Sequence, residues 1–141
     1  MGMLQHGGMG ADLQHVVISA SAGSGKTYQL VRRYVLLLAW GVEPERIAAM
    51  TFTKKASGEF FNRILNRLAD LASGELKADA FFSGMTPLPP QWPDFGKLLR
   101  KTTEAMQRLR LGTMDSFFSS VTACFPLELG LPFGASVMAE E

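Results

Sequence analysis

Apolar positions along the chain fall into short runs of differing period, and the period predicts the elements. Val16 to Ser19 is a β-branched run after a polar, Gly-rich lead-in, and it predicts a buried strand. Residues 20 to 27 are rich in Gly and Ser and predict a turn. From Thr27 to about Trp40, apolar residues recur at Leu30, Val31, Tyr34, Val35, Leu37 and Leu38, the period of a helix with one wide apolar face. Gly41 suits the end of that helix, and Pro44 keeps it from resuming at once. Arg46 to Thr51 leads into a second short strand. Residues 55 to 72 predict the longest helix. Phe60, Ile64, Leu68 and Leu71 form its stripe, with Phe61, Leu65 and Ala72 beside it. Glu59, Asn62, Arg63, Asn66, Arg67 and Asp70 take the wet side.

Between Ser73 and Phe95 the pattern breaks. SGMTPLPPQWPDFG contains four prolines and predicts an exposed connection, an insertion over residues 73–96 with Trp92 as a loop anchor. Lys97 to Arg108 predicts a third helix, and Leu111 to Met114 a short strand. Asp115 or Ser116 can cap a helix through Phe117, Phe118, Val121 and Cys124, whose apolar face should pack. Pro126 ends it, and the tail FPLELGLPFGASVMAEE is irregular. Strands alternating with helices in this way predict a three-layer α/β domain with a parallel sheet. Residues 1–14 read as a flexible leader and residues 15–141 as the domain.

Composition narrows the picture modestly. A length of 141 residues, 47% hydrophobic and 19% charged, is that of one globular domain. The net charge of +1 creates no global basic field, so any contact with nucleic acid must be local. A lone Cys124 cannot form an internal disulfide and points to a reducing setting. The leader has neither a basic nor an apolar segment of a signal peptide, and no run is long enough to span a bilayer. A cytoplasmic location is expected.

The turn carries the clearest chemistry. Residues 20–27, ASAGSGKT, fit the phosphate-loop pattern with Ala20 in place of the first Gly. Gly23 and Gly25 permit positive φ and a close backbone approach to phosphate oxygens. Successive N–H groups from Ala22 through Ser24 and Gly25 form an anion nest, with the positive end of the following helix aimed at the same place. Lys26 supplies a point charge, and the Thr27 hydroxyl can ligate Mg²⁺. ATP and Mg²⁺ are the expected cofactors. The plainer reading is a Gly/Ser link, but it leaves the flanking strand and helix unexplained.

Just past the second strand stands TFTKKA, residues 51–56. At the carboxyl ends of parallel strands it should share a rim with the phosphate loop. Hydroxyls and ammonium groups from Thr51, Thr53 and Lys54 suit backbone phosphates, and the Phe52 ring suits stacking on a base. Phe52 as a core residue, with the lysines at a solvated helix start, fits the same letters. Chemistry alone does not choose between the two.

The text of these motifs does choose. SAGSGKT followed by TFTKKASGEFFNRI resembles the first two motifs of superfamily 1 DNA helicases of the UvrD/Rep/PcrA group, whose second motif runs TFTNKAAxEM. Lys54 stands for the usual Asn, Ser57-Gly58 for Ala and a variable residue, and Phe60 for Met, while Glu59 keeps the acidic position. GTMDSF, residues 112–117, resembles the group's GTFHSF or TIHSF element, with Asp115 where His is usual. Its continuation is similar to TIHSFCxxLLxxFPLEAGLxPxFxVxDE of helicase–nuclease subunits of the AddA and RecB kind. The resemblance spans residues 16–72 and 111–141 and leaves the proline-rich middle unmatched.

The resemblance implies a RecA-like motor domain, incomplete in this chain, and a DNA helicase of repair and recombination moving 3′-to-5′. It implies that Gly23, Ser24, Gly25, Lys26 and Thr27 bind ATP–Mg²⁺. Thr51, Phe52 and Thr53 would line a single-strand track, with Thr113, Ser116 and Phe117 beside it. Partners would be single-stranded or duplex DNA, the remainder of a larger polypeptide and a second helicase–nuclease subunit; no membrane is implied. Asp115 would repel a polyanion where the family has His. Gln5 and Gln14 match the family's adenine-reading Gln by position only. The acidic end of VMAEE does not read as the metal-binding Asp-Glu segment, and His6 and His15 suggest no metal. Lys97, Arg100, Lys101, Arg108 and Arg110 read as a solvated face. The chain alone is expected to bind nucleotide weakly and hydrolyse little. A small P-loop kinase and a non-hydrolysing nucleotide- or DNA-binding module are the alternatives.

Overall fold

A computed structural model of the chain describes residues 16–18 and 25–125. Helix α1 spans Lys26–Ala39 and ends in a Schellman motif. The Val42 N–H donates to Leu37 O at 3.1 Å and the Gly41 N–H to Leu38 O at 2.9 Å, with Gly41 at φ 83°. A one-turn 3₁₀ segment, Pro44–Arg46, leads into strand β1, Ala48–Thr51. Helix α2 runs from Lys54 to Ser73, and the single turn α3 from Ala78 to Phe81. Helix α4, Phe95–Glu104, is followed by a 3₁₀ turn, Met106–Arg108, by strand β2, Arg110–Thr113, and by helix α5, Met114–Cys124. The two strands pair in parallel, Ala48 opposite Arg110 through Thr51 opposite Thr113.

The core lies between the helices. Phe60, Ile64, Leu68 and Leu71 of α2 are its buried stripe, and α2 packs on α1, α4 and both strands. Facing it are Val31, Tyr34, Val35 and Leu38 of α1 together with Phe81, Phe82 and Phe95. Phe81 and Phe82 are among the most completely buried side chains of the described residues. The proline-rich segment that follows is irregular but anchored. Trp92 stacks on Phe82 at 5.0 Å and donates its indole N–H to Asp79 Oδ1 at 2.9 Å, and Trp40 donates to Pro87 O at 3.2 Å. Burial of the Tyr34 phenol, with the charge of Glu45 nearby, raises its pKa to about 12.

The amino ends of the strands are tied from outside. Lys101 reaches Glu43 Oε1 at 2.7 Å, and Arg108 reaches Glu45 Oε1 at 2.9 Å. These pairs link the segments that precede β1 and β2. Much of the basic series on α4 and its 3₁₀ turn is thereby accounted for, since Lys97 also lies 3.9 Å from Asp94.

Three expectations need correction. Val16–Ile18 belongs to no strand and is exposed. A β-branched run becomes a strand only where a neighbour offers a hydrogen-bond ladder, and among the described residues the ladder joins β1 and β2 alone. The cap of α5 is neither Asp115 nor Ser116 but Thr113, because β2 ends at that residue, one position earlier than its hydrophobic pattern implies. Asp115 sits in the helix's first turn, where a carboxylate favours the positive end of the dipole. The face of α5 carrying Phe117, Phe118, Val121 and Cys124 is exposed, Cys124 included.

Candidate phosphate and nucleic-acid site

The candidate site has two parts, the start of α1 and the carboxyl end of the sheet with the starts of α2 and α5 that follow it. At α1 the chain enters through Gly25, which holds φ 84°, ψ 13° and contributes no side-chain cap. Only glycine takes this left-handed conformation cheaply, as its place in the motif requires. Lys26 and Thr27 are the exposed first residues of α1, and the first turn contains no acidic side chain. A helix start with neither a capping side chain nor a carboxylate suits an anion from outside. A cation and a hydroxyl stand at this start. Ala22, Gly23 and Ser24 lie outside the described residues, as do Gln5 and Gln14.

The second part is the carboxyl end of the sheet. Thr51 and Thr113 are register partners, so motifs 62 residues apart end side by side. Each strand then turns directly into a helix by the same device. The Thr53 hydroxyl accepts from the Ala56 N–H at 3.1 Å, and the Thr113 hydroxyl accepts from the Ser116 N–H at 3.2 Å. Thr51 Oγ1 donates to Thr53 O at 2.9 Å, and Ser116 Oγ donates to Thr113 O at 2.7 Å. Gly112 makes this possible, since a Cβ there would stand 2.7 Å from Ser116 Oγ.

Beside the two caps, Phe52 before α2 and Phe117 and Phe118 within α5 have open rings. Phe52 is 86% exposed, Phe117 43% and Phe118 55%. Lys54 is the exposed first residue of α2. Leu30, one turn beyond Lys26, and Thr51 line a common cavity of about 270 Å³ between α1 and β1. A larger cavity of about 480 Å³ runs from Ala48 and Met50 across β2 to Phe117 and Val121. The capping roles of Thr53 and Thr113 were visible in principle, since Thr before a helical run is a favoured cap. Arg32, buried on α1, has no such local signal.

Comparison with known proteins agrees with the motifs. The sequence pattern described as the UvrD/REP helicase N-terminal domain matches residues 5–131. The chain belongs to this family. Two relatives are the A-type subunits of ATP-dependent helicase/nucleases from Streptococcus pyogenes serotype M5 (strain Manfredo) and serotype M49 (strain NZ131). Each is 30% identical over 131 residues, 91% of this chain and 9% of the relative. The chain thus spans 9% of the length of these relatives. No solved structure matches it. For this UvrD/REP-family chain the mixed helical and parallel-stranded architecture is in keeping with the match, and among the described residues no helix is long and apolar enough to cross a membrane.

Proposed function

We propose that this chain supplies the phosphate-gripping and strand-gripping elements of an ATP-dependent DNA helicase motor, within a three-layer RecA-like domain. The observation that carries the reading is the exposed Phe52. A phenylalanine left 86% exposed directly after a strand, flanked by hydroxyls and a lysine, presents an open ring face that suits a base stacked on it. That Leu30 and Thr51 line one cavity supports the proximity of the two halves.

Lys26 and the first amides of α1 hold the phosphates, and the Thr27 hydroxyl holds Mg²⁺, with Ala22, Gly23, Ser24 and Gly25 as the loop. When bound, ATP–Mg²⁺ supplies the cleavable phosphoanhydride. Thr51, Phe52, Thr53 and Lys54 grip a single strand on one side, and Thr113, Ser116 and Phe117 on the other. Thr53 is exposed and keeps a lone pair for a phosphate beyond its cap, whereas Thr113 is buried and, by capping α5, positions the exposed Ser116 and Phe117. In the whole protein the activity is 3′-to-5′ translocation and unwinding in DNA repair and recombination, in the cytoplasm. Its partners there are DNA, the remaining polypeptide and a second helicase–nuclease subunit. Against a small kinase stands the exposed aromatic rim, which such an enzyme does not need.

The test is oligonucleotide binding by fluorescence anisotropy, with a fluorescent ATP analogue titrated in parallel. Phe52→Ala should weaken single-strand binding by about 1–3 kcal/mol and leave nucleotide binding alone. Lys26→Ala should do the reverse. Strand binding that is indifferent to Phe52 sinks the interface.

A further inference from the structure

Arg32 is the charged side chain this mechanism does not use, and it is only 9% exposed. Its guanidinium spends itself on neutral groups. Nε donates to Phe81 O at 2.6 Å, Nη2 donates to Ser83 O, and Nη1 donates to Gln29 Oε1 at 3.0 Å. The same cation lies 5.7 Å from the centre of the Tyr28 ring, and Tyr28 meets Phe81 edge-on at 6.0 Å. A buried cation held by carbonyls gains less than one held by a carboxylate, so net stability is a poor explanation for keeping it. What the planar fork supplies is geometry, because two carbonyls two residues apart fix both the reach and the rotation of the side chain.

That rotation belongs to α1. Tyr28, Gln29 and Arg32 occupy its first two turns, directly after Lys26 and Thr27. The carbonyls that Arg32 is fastened to sit on a segment that is itself held, by the Phe82–Trp92 stack and by the Trp92 to Asp79 hydrogen bond. We propose that Arg32 is a positioning residue for the phosphate site: by locking α1 to Phe81–Ser83 it sets the rotation of the helix start and so the placement of Lys26 and Thr27. The inference rests on the nucleotide-binding reading above. It gives the Phe81–Ser83 turn the role of a fixed template against which the helix is registered.

The chain of residues 1–141 tests it with a fluorescent ATP analogue and Mg²⁺, at a temperature where circular dichroism shows each variant fully folded. Arg32→Gln and Arg32→Lys should both raise the nucleotide Kd on the order of tenfold, with single-strand binding unchanged. Lysine keeps the charge and loses the fork, so rescue by Arg32→Lys would show a charge effect and overturn the proposal. A purely structural role lowers the denaturation midpoint and leaves the Kd of the folded variant at the wild-type value, which also overturns it. Should neither variant fold, amide exchange in the wild-type chain decides. Adding nucleotide should slow exchange at residues 81–83 together with 26–30, and no change at 81–83 overturns the proposal. A wild-type chain that fails to bind the analogue ends the nucleotide reading and this inference together. Normal wild-type binding with unaltered variants ends this inference alone.

Discussion

Helices α2 and α5 begin in the same way and finish differently. Each follows one of two paired strands, each is capped by a threonine hydroxyl, and each has an apolar stripe at helical spacing. The stripe of α2 is buried at Phe60, Ile64, Leu68 and Leu71, whereas that of α5 is exposed at Phe117, Phe118 and Val121. Amphipathicity therefore states that a face wants covering and not what covers it. In α2 the cover is α1, α4 and the Phe81–Phe82 pair. In α5 the face borders the open cavity beside β2.

The largest consequence concerns core truncation. Leu68 and Ile64 are both fully buried, so Leu68→Ala should cost about 2–5 kcal/mol in urea denaturation, through lost burial plus a residual cavity. Val121→Ala on α5 should cost less than about 0.5 kcal/mol. Equal costs for the two would mean that α5 packs in solution, and the contrast would break.

Caps give a finer comparison of the same pair. Thr53→Ala and Thr113→Ala each remove an acceptor from a helix start, a loss of about 1 kcal/mol per cap. Because α2 is part of the cooperative core, the Thr53→Ala loss should appear in the global denaturation midpoint and return with Thr53→Ser. On α5 the loss should appear chiefly as faster amide exchange at residues 115–118, the first turn opening locally. A full global loss at Thr113 would place α5 inside the core's cooperative unit.

How much of this was legible in the sequence follows the range of the forces. The bounds of α1 and α2 fall within a residue or two of the periodic pattern, because periodicity and capping glycines act over one or two turns. The positive φ of Gly25 was likewise written in its motif. Burial of Phe81 and Phe82 was not, since it depends on packing with residues of α1 and α2 far away in sequence, and the Arg32 bonds to the same segment bridge 49 and 51 positions. The pairing of Thr51 with Thr113 is equally non-local. Each motif predicted its own place at a strand end, but only the register brings the two ends together. The strand expected at Val16–Ser19 failed over Val16–Ile18 for the same reason, since a local pattern cannot provide its own neighbour, and Ser19 lies outside the described residues.

The smallest effect separates the two ends of the strands by pH. Glu45 sits at the amino end of β1, where hydrogen bonds from its own backbone N–H and from Arg108 hold its carboxyl below the ordinary value of 4.5, with Lys101 adding to the pull. A carboxyl lowered in the folded state stabilises it fully above 4.5, where the unfolded chain's group is ionised too. The contribution fades as pH falls below 4.5 towards the lowered folded value, since the unfolded state then takes up the proton first. The difference in urea midpoint between wild type and Glu45→Gln should be constant above that value and shrink below it, and added salt should shrink it at every pH because the pair is exposed. Thr53 and Thr113, towards the other end of the same strands, cap their helices through neutral hydroxyls. The midpoint difference between wild type and Thr53→Ala should accordingly not shrink over the same acid range. A cap effect that faded in parallel with the Glu45 effect would show that the two ends of the sheet do not act separately.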